Sequence, residues 1–594
     1  GTRLVAVGMN ALVQNTTGNN NVAVGNNALD ANTTGADNVA MGYNTLSAAT
    51  TASNNTAIGH KVLEDSTSGA QLVGLGGFAL TNNTTGADNT ALGYGTLSSN
   101  TTGGQNTAVG RHALNTNTTE SYITAVGYYA LKDNTTGTKG TAVGSGSLQQ
   151  NTTGNYNSAL GQSALYTNTT GSNNTGLGYR ALYTNNSSNN TAVGYDALYT
   201  CDSSDNTAVG YEALKSHTTG NGRNTAVGAY AGDAITTAME NTAMGWHALG
   251  AVTTGSENTG LGRNAGKSIT TTEASTAVGF NALENNTAAA NTACGHSALR
   301  ANTTGVHNVA VGYNAATLTT TGGENTVVGH SAMDANTTGA DNTAIGYHAL
   351  TSNTTAGTNT AVGKYALYHS TTGTRNTAVG SGAISGSSGM TGGDNTAIGG
   401  DALNSISTGQ KNTACGTSGQ GVTTGQNNSF LGYNAGSSAA PSGNVTTGSN
   451  IICLGDNSIS NLYCNDTSIS SSDSRDKTDI TEWTHGLSFI NQLKPVTYRW
   501  DKRSWYSDDF SVTPDGTHKK ARLHLGFLAQ DALAVEKSFG YADSVDDMLA
   551  VNLNEDGTAY GYKYERLVVV LTKAVQELST KNDALEARIK TLEG

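Results

Sequence analysis

The hexapeptide Ser472-Asp473-Ser474-Arg475-Asp476-Lys477 places hydroxyls, a guanidinium and a primary amine close together in the chain. A serine hydroxyl attacks a carbonyl only when a base removes its proton, and a lysine serves as that base when burial and a neighbouring cation lower its pKa. Arg475 is the candidate for that cation. Taken alone, the hexapeptide reads as a polar turn before a strand.

Other chemistry is poorly provided for. Five cysteines, Cys201, Cys294, Cys415, Cys453 and Cys464, are odd in number and irregularly spaced, with no Cys-x-x-Cys pair. Neither a disulfide framework nor a zinc site follows, so they read as free thiols of a chain assembled in a reducing cytoplasm. Cys294 and Cys415 stand where neighbouring repeats have Val or Ile, which predicts small core residues. The 12 histidines are scattered; His112, His247, His296, His330 and His348 have no carboxylate or thiol at ligand spacing, and no metal is expected. Gly262-Arg263-Asn264-Ala265-Gly266-Lys267-Ser268 has three residues between its glycines where a phosphate loop needs four, so no nucleotide or other cofactor is expected. A formal net charge of −13 with no basic cluster argues against nucleic acid. No uninterrupted apolar run reaches membrane-spanning length, so no membrane insertion is expected. The first residues, Gly1-Thr2-Arg3, read as a trimmed end.

The elements that must position any site are dominated by one repeat. Asn-Thr-Ala-Val-Gly-x-x-Ala-Leu, a few polar residues and Thr-Thr-Gly recur with the repeat glycine at a spacing of 17 from Gly8 to Gly178. The series continues with small slips to Gly432 and a degenerate copy at Gly455, 27 copies in all. With 76 glycines, 3 prolines and 12% charged residues, an ordinary enzyme core is not expected. Each copy offers a short β-branched run, a bend at glycine, an Ala-Leu pair and a turn, which predicts two short strands per coil of a solenoid. One coil buries too little apolar surface to offset ordering its own backbone, so stacking must supply the difference. In-register stacking puts Asn38 over Asn55 in a hydrogen-bonded ladder. The Thr and Val of each run share one face and Ala takes the other; one face fills the coil and the other is available to a sister chain. Aromatics after the repeat glycine, such as Tyr43, Tyr94, Tyr179, Tyr195, Tyr211 and Tyr313, stack into a stripe, read first as packing decoration and second as a grip for carbohydrate or protein.

At these residues the chain resembles the head repeat of YadA-like trimeric autotransporter adhesins, over residues 1 to about 436. The resemblance implies a left-handed parallel β-roll, trimeric about its long axis. Composition then changes: residues 1–471 hold 14 basic and 23 acidic residues, and residues 472–594 hold 16 and 20, so charge density rises from about 8% to about 29%. Three of four tryptophans lie beyond this boundary, where a mixed α/β core is expected. At the end, Val568, Leu571, Val575, Leu578, Asn582, Leu585, Ile589 and Leu592 alternate three and four apart as a coiled-coil seam, with Lys581/Glu586 and Arg588/Glu593 placed to pair between parallel helices. A single amphipathic helix packing on its own domain is the other reading.

The hexapeptide, Leu493-Lys494-Pro495-Val496-Thr497-Tyr498-Arg499-Trp500, Gly526-Phe527-Leu528-Ala529-Gln530-Asp531 and the closing helix together resemble the endosialidase-type intramolecular chaperone of phage tail fibres and tailspikes. That resemblance implies trimerisation, assisted folding of the preceding β-structure, and self-removal. Carried over by position, Ser472 is the nucleophile, Lys477 its base and Ser471–Ser472 the cleaved bond, with Asp473, Arg475 and Gln530 as supporting motif residues. The expected class is mainly β: a trimeric parallel β-solenoid of 17-residue coils at 1–436, a degenerate neck at 437–471, and a small α/β auto-processing chaperone domain at 472–594 with its coiled coil at 564–594. The expected function is a trimeric virion tail fibre for host attachment, an enzyme at most once and on its own chain. Its partners are two sister chains, a host-surface receptor, and other tail proteins through an N-terminal region missing here. A bacterial surface adhesin and a polysaccharide-degrading tailspike are the alternatives; the first needs a membrane anchor, and the second needs paired carboxylates in a cleft. Receptor contact is expected where repetition fails, at 380–399 and 436–471.

Overall fold

A computed structural model describes residues 1–459, 477–506, 512–553 and 559–594. Two compact units divide the chain, Gly1–Asp341 and Asn342–Gly594. The described residues hold 27 three-residue strands of a parallel β-solenoid, β1 (Val5–Val7) to β20 (Thr326–Val328) in the first unit and β21 (Thr343–Ile345) to β27 (Ile452–Leu454) in the second. Consecutive strands within each unit pair in parallel and in register, as in Val22↔Val39, Ala23↔Ala40 and Val24↔Met41.

Each coil has one strand, not the two expected. After the strand comes the repeat glycine, at φ 142° in Gly25, a region closed to side chains; a Cβ there would also strike the carbonyl of Gly42 in the next coil. The following Asn-Asn-Ala-Leu segment then alternates, with Asn27 at φ 55° and Leu29 at φ 49°. Left-handed residues on either side of Ala28 prevent extended backbone, so the Ala-Leu side is a turn rather than a strand. A leucine in that conformation costs about 1–2 kcal/mol. Full burial of Leu29 returns a comparable about 1.5–3 kcal/mol. Coil-to-coil hydrogen bonds continue through the bend, Leu29 N–H to Thr45 O at 3.1 Å and Thr33 N–H to Thr50 O at 2.9 Å, so stacked coils satisfy the backbone on every side.

The interior is filled by the middle strand alanine, the Ala-Leu pair and two asparagine columns. Asn38 donates from its amide to Asn21 Oδ1 at 3.1 Å, and Asn55 N–H donates to Asn38 Oδ1 at 3.1 Å, the ladder the repeat predicts. A second buried column, from the Asn of Asn-Thr-Thr-Gly, was not anticipated: Asn100 donates to Asn83 Oδ1 at 2.7 Å and Asn151 to Asn134 Oδ1 at 2.9 Å. The third strand residue faces outward. Ile398 and Leu431 are 49% and 57% exposed, and Cys294 and Cys415 are exposed rather than core residues. The inward strand position is alanine in most coils and valine at Val327, which is buried in the same register.

Near the end of the solenoid the interior widens. Phe430 of β26 (Ser429–Leu431) takes the alanine position and is buried, its ring lying where side chains at Gly419 and Gly436 would be. The insert between Gly380 and Gly399 folds back into the ladder through the Ser370↔Met390 bridge, with Met390 buried.

The C-terminal region is a small α/β assembly. α1 (Leu487–Ile490) precedes β28 (Val496–Tyr498), which pairs antiparallel with β29 (His524–Gly526). Then come α2 (Ala529–Ser538), the hairpin β30 (Val551–Leu553) with β31 (Tyr560–Tyr562), and α3 (Leu567–Glu593). Phe489, Leu493, Ala532, Val535, Val551, Leu567 and Val570 form its core, the mixed α/β core expected from composition.

Candidate functional site

Of the candidate processing residues, Lys477 and Gln530 fall among the described residues. Ser471, Ser472, Asp473 and Arg475 lie outside the described residues. Lys477 is exposed, and Gln530 is exposed in the first turn of α2, so the two described members of the set are on the surface.

Beyond Lys477 the chain is held firmly by α3. Glu577 accepts hydrogen bonds from the backbone N–H groups of Gly486 (3.1 Å) and Leu487 (2.8 Å), and Lys573 Nζ pairs with Glu482 at 2.9 Å. The Leu487 N–H, followed by that of Gly486, holds the Glu577 carboxyl below its ordinary range, and the Lys573 ammonium does the same for Glu482. Trp483 packs between these contacts, its ring 5.6 Å from Phe489 and 5.5 Å from Tyr541. Residues 482–487 therefore take their position from a helix about 90 residues later in the chain. That pairing carries no sequence signature, which is why Glu577 was missed.

The quoted motifs converge. The Leu493–Trp500 segment supplies β28 and the Gly526–Asp531 segment supplies the end of β29 and the start of α2; Val496 pairs directly with Gly526. Gly526 must lack a side chain because the Tyr564 hydroxyl occupies the Cβ position, and that hydroxyl accepts from Phe527 N–H at 3.0 Å. Glu536 is fully buried on α2 and accepts from Leu549 (2.8 Å), Ala550 (2.8 Å) and Val551 (3.0 Å), stapling β30 to the helix. Burial, then the Glu536 charge, pushes the Tyr562 phenol up to about 12. A charged residue beside Ala532 and Val535 on the apolar face of α2 was the available signal for this staple.

Residues 472–543 match the family model for the chaperone of endosialidase. The match begins at Ser472 and spans α1, β28, β29 and α2. No curated relative matches the chain. An endosialidase-chaperone segment following a parallel β-solenoid supports a phage tail fibre or tailspike type of protein.

α3 has one face on the domain and one face in solvent. Leu567, Val570 and Ala574 are buried against the domain, whereas Val568, Leu571, Val575, Leu578, Leu585, Ile589 and Leu592 are 46–82% exposed. Along the solenoid the expected aromatic column is present: Tyr179, Tyr195 and Tyr211 stack at 5.1 and 5.2 Å, and Phe280, His296, Tyr313 and His330 at 4.9, 4.9 and 5.1 Å. Among the described residues no group of His, Cys, Asp or Glu is placed to hold a metal, and no helix is long and apolar enough to cross a membrane. Of the cysteines, Cys201, Cys294 and Cys415 are free thiols and Cys453 is buried; burial raises the pKa of Cys201, and Cys464 lies outside the described residues.

Proposed function

We propose that the chain is the shaft of a trimeric virion tail fibre that attaches to a host-surface receptor. Its C-terminal domain assembles three chains and then removes itself. The observation that carries this reading is the endosialidase-chaperone match directly after a parallel β-solenoid. Two exposed apolar features support three-chain association: the outward aliphatic column of the strands and the unpartnered heptad seam of α3.

Self-removal would run as follows. The Ser472 hydroxyl loses its proton to the Lys477 amine and attacks the Ser471 carbonyl carbon. The peptide C–N bond breaks as a proton is delivered to the departing Ser472 nitrogen, leaving an ester that water hydrolyses to the Ser471 carboxylate and the free hydroxyl. The Lys477 amine must be neutral for the first step, which requires desolvation or a nearby cation such as Arg475. Because α3 holds residues 482–487, association of α3 seams would order the chain five residues beyond Lys477, coupling cleavage to assembly. The test is the oligomeric state and cleavage rate of the whole chain beside Leu578→Asp/Leu585→Asp. The reading expects a cleaving trimer and a slow, unassociated variant; equal cleavage by unassociated chains would break the coupling.

A further inference from the structure

Between Gly178 and Gly210 the repeat shortens to 16 residues per coil. The Thr-Thr-Gly turn becomes Asn-Ser-Ser at Asn186-Ser187-Ser188 and Asp-Ser-Ser at Asp202-Ser203-Ser204. These coils carry an open groove of about 420 Å³, lined by Thr184, Asn186, Thr200, Asp202 and neighbouring threonines. Immediately beside it stands a second aromatic column, Tyr166, Tyr183 and Tyr199, with near-parallel rings 5.3 and 5.1 Å apart. The first column, Tyr179, Tyr195 and Tyr211, is 38–44% exposed in the same coils.

Arg180 joins the two columns. Its guanidinium lies 4.8 Å from the ring centres of Tyr179 and Tyr199, and it is fixed by two hydrogen bonds to the buried Asp196 carboxylate at 2.9 and 2.6 Å. Residues 166–219 contain two cations, Arg180 and Lys215, and four carboxylates. Both cations are already paired, Arg180 with Asp196 and Lys215 with Glu212 at 3.1 Å. The surface left over is aromatic, hydroxyl-rich and mildly acidic. In the groove, Asn186 commits its side-chain oxygen to Thr169 N–H and Oγ1 at 2.7 and 2.6 Å, leaving the amide nitrogen as a donor beside the Asp202 carboxylate acceptor.

From this arrangement we infer that coils 161–228 form a binding track for a neutral glycan chain. Because the rings stack on one another, each column presents ring edges and phenol hydroxyls about every 5 Å; flanked by a donor and an acceptor for vicinal hydroxyls, that row complements an uncharged polymer of pyranose units. The unpaired carboxylates disfavour an anionic polymer. The inference rests on the attachment reading for its biological meaning, though not for its chemistry.

The whole chain is run in native gels containing dextran, galactan or mannan, with alginate as the anionic polymer. Retardation by at least one neutral polymer and none by alginate is expected. Tyr195→Ala/Tyr199→Ala and the purely surface pair Asn186→Ala/Asp202→Ala should each weaken it about tenfold or more. Tyr313→Ala, in a regular coil, should behave as the parent. Parent mobility unchanged by every neutral polymer, preference for alginate, or full retardation of the Asn186/Asp202 variant would overturn the inference. Adsorption of the chain to cells separates the two claims. Equal adsorption by parent and groove variants removes this site and keeps the attachment reading, whereas no adsorption of the parent to any bacterium, with gel retardation intact, removes the attachment reading alone.

Discussion

His217 gives the solenoid an acid-sensitive coil. It occupies the second asparagine column, where Asn185 and then Cys201 precede it and Ile235 follows, and it is fully buried. Its ring nitrogens form no well-made hydrogen bond. Burial is the dominant cause that lowers its pKa to about 4 from 6.5, with the Thr236 backbone a smaller opposing influence. A depressed histidine pKa means that the folded coil prefers the neutral ring. Stability is then fully present above pH 6.5 and falls as pH drops toward 4, where the unfolded chain holds a proton that the folded one does not. Lowering the pKa from 6.5 to about 4 corresponds to about 3 kcal/mol. Coils contact only their neighbours, so the loss should appear as local opening of residues near 200–236 rather than global unfolding. Hydrogen exchange by mass spectrometry at pH 7.5 and pH 4.5, corrected for intrinsic rates, should show protection there falling by about two orders of magnitude relative to coils 90–160. His217→Ile, matching Ile235, should abolish the difference. Equal acid loss in parent and variant, or acid loss spread evenly over all coils, would refute the reasoning.

Further outcomes follow from the same contacts. Gly161→Ala places a side chain at φ 140° against the Gly178 carbonyl and should destabilise its coil by about 1–3 kcal/mol, read as a local loss of exchange protection. Glu536→Ala strands three backbone N–H groups, two of them buried, and should cost the C-terminal domain about 3 kcal/mol in urea unfolding of the uncut Ser472→Ala chain. Ile398→Asp, on the outward column, should leave circular dichroism unchanged while lowering the mass found by light scattering from that of three chains.

The architecture was legible in the repeat because its glycine recurs wherever a coil needs a positive φ and a side-chain-free approach to the next coil. Asn38 over Asn55 followed from register alone. What misled was hydrophobicity: Val and Cys294 are more apolar than Ala, yet it is the middle strand residue, Ala23 and most of its equivalents with Val327 and Phe430 as larger exceptions, that points inward, while the third residue faces out. The second strand failed for a different reason. Leu29 and its equivalents adopt left-handed backbone, a conformation that composition gives no reason to expect of leucine. In the C-terminal domain, the motifs around Tyr498 and Gly526 were readable and do pair. The anchors Glu536 and Glu577 were not, since each meets its partners only through tertiary contact.

The central claim is a fibre shaft that sheds its own assembly domain. Intact mass under denaturing conditions, for the whole chain and for Ser472→Ala, tests it most directly. The account predicts loss of the 123 residues 472–594 from the parent alone. Parent and variant both retaining full mass after assembly would contradict it, leaving the C-terminal domain a permanent clamp and Ser472 and Lys477 without a role.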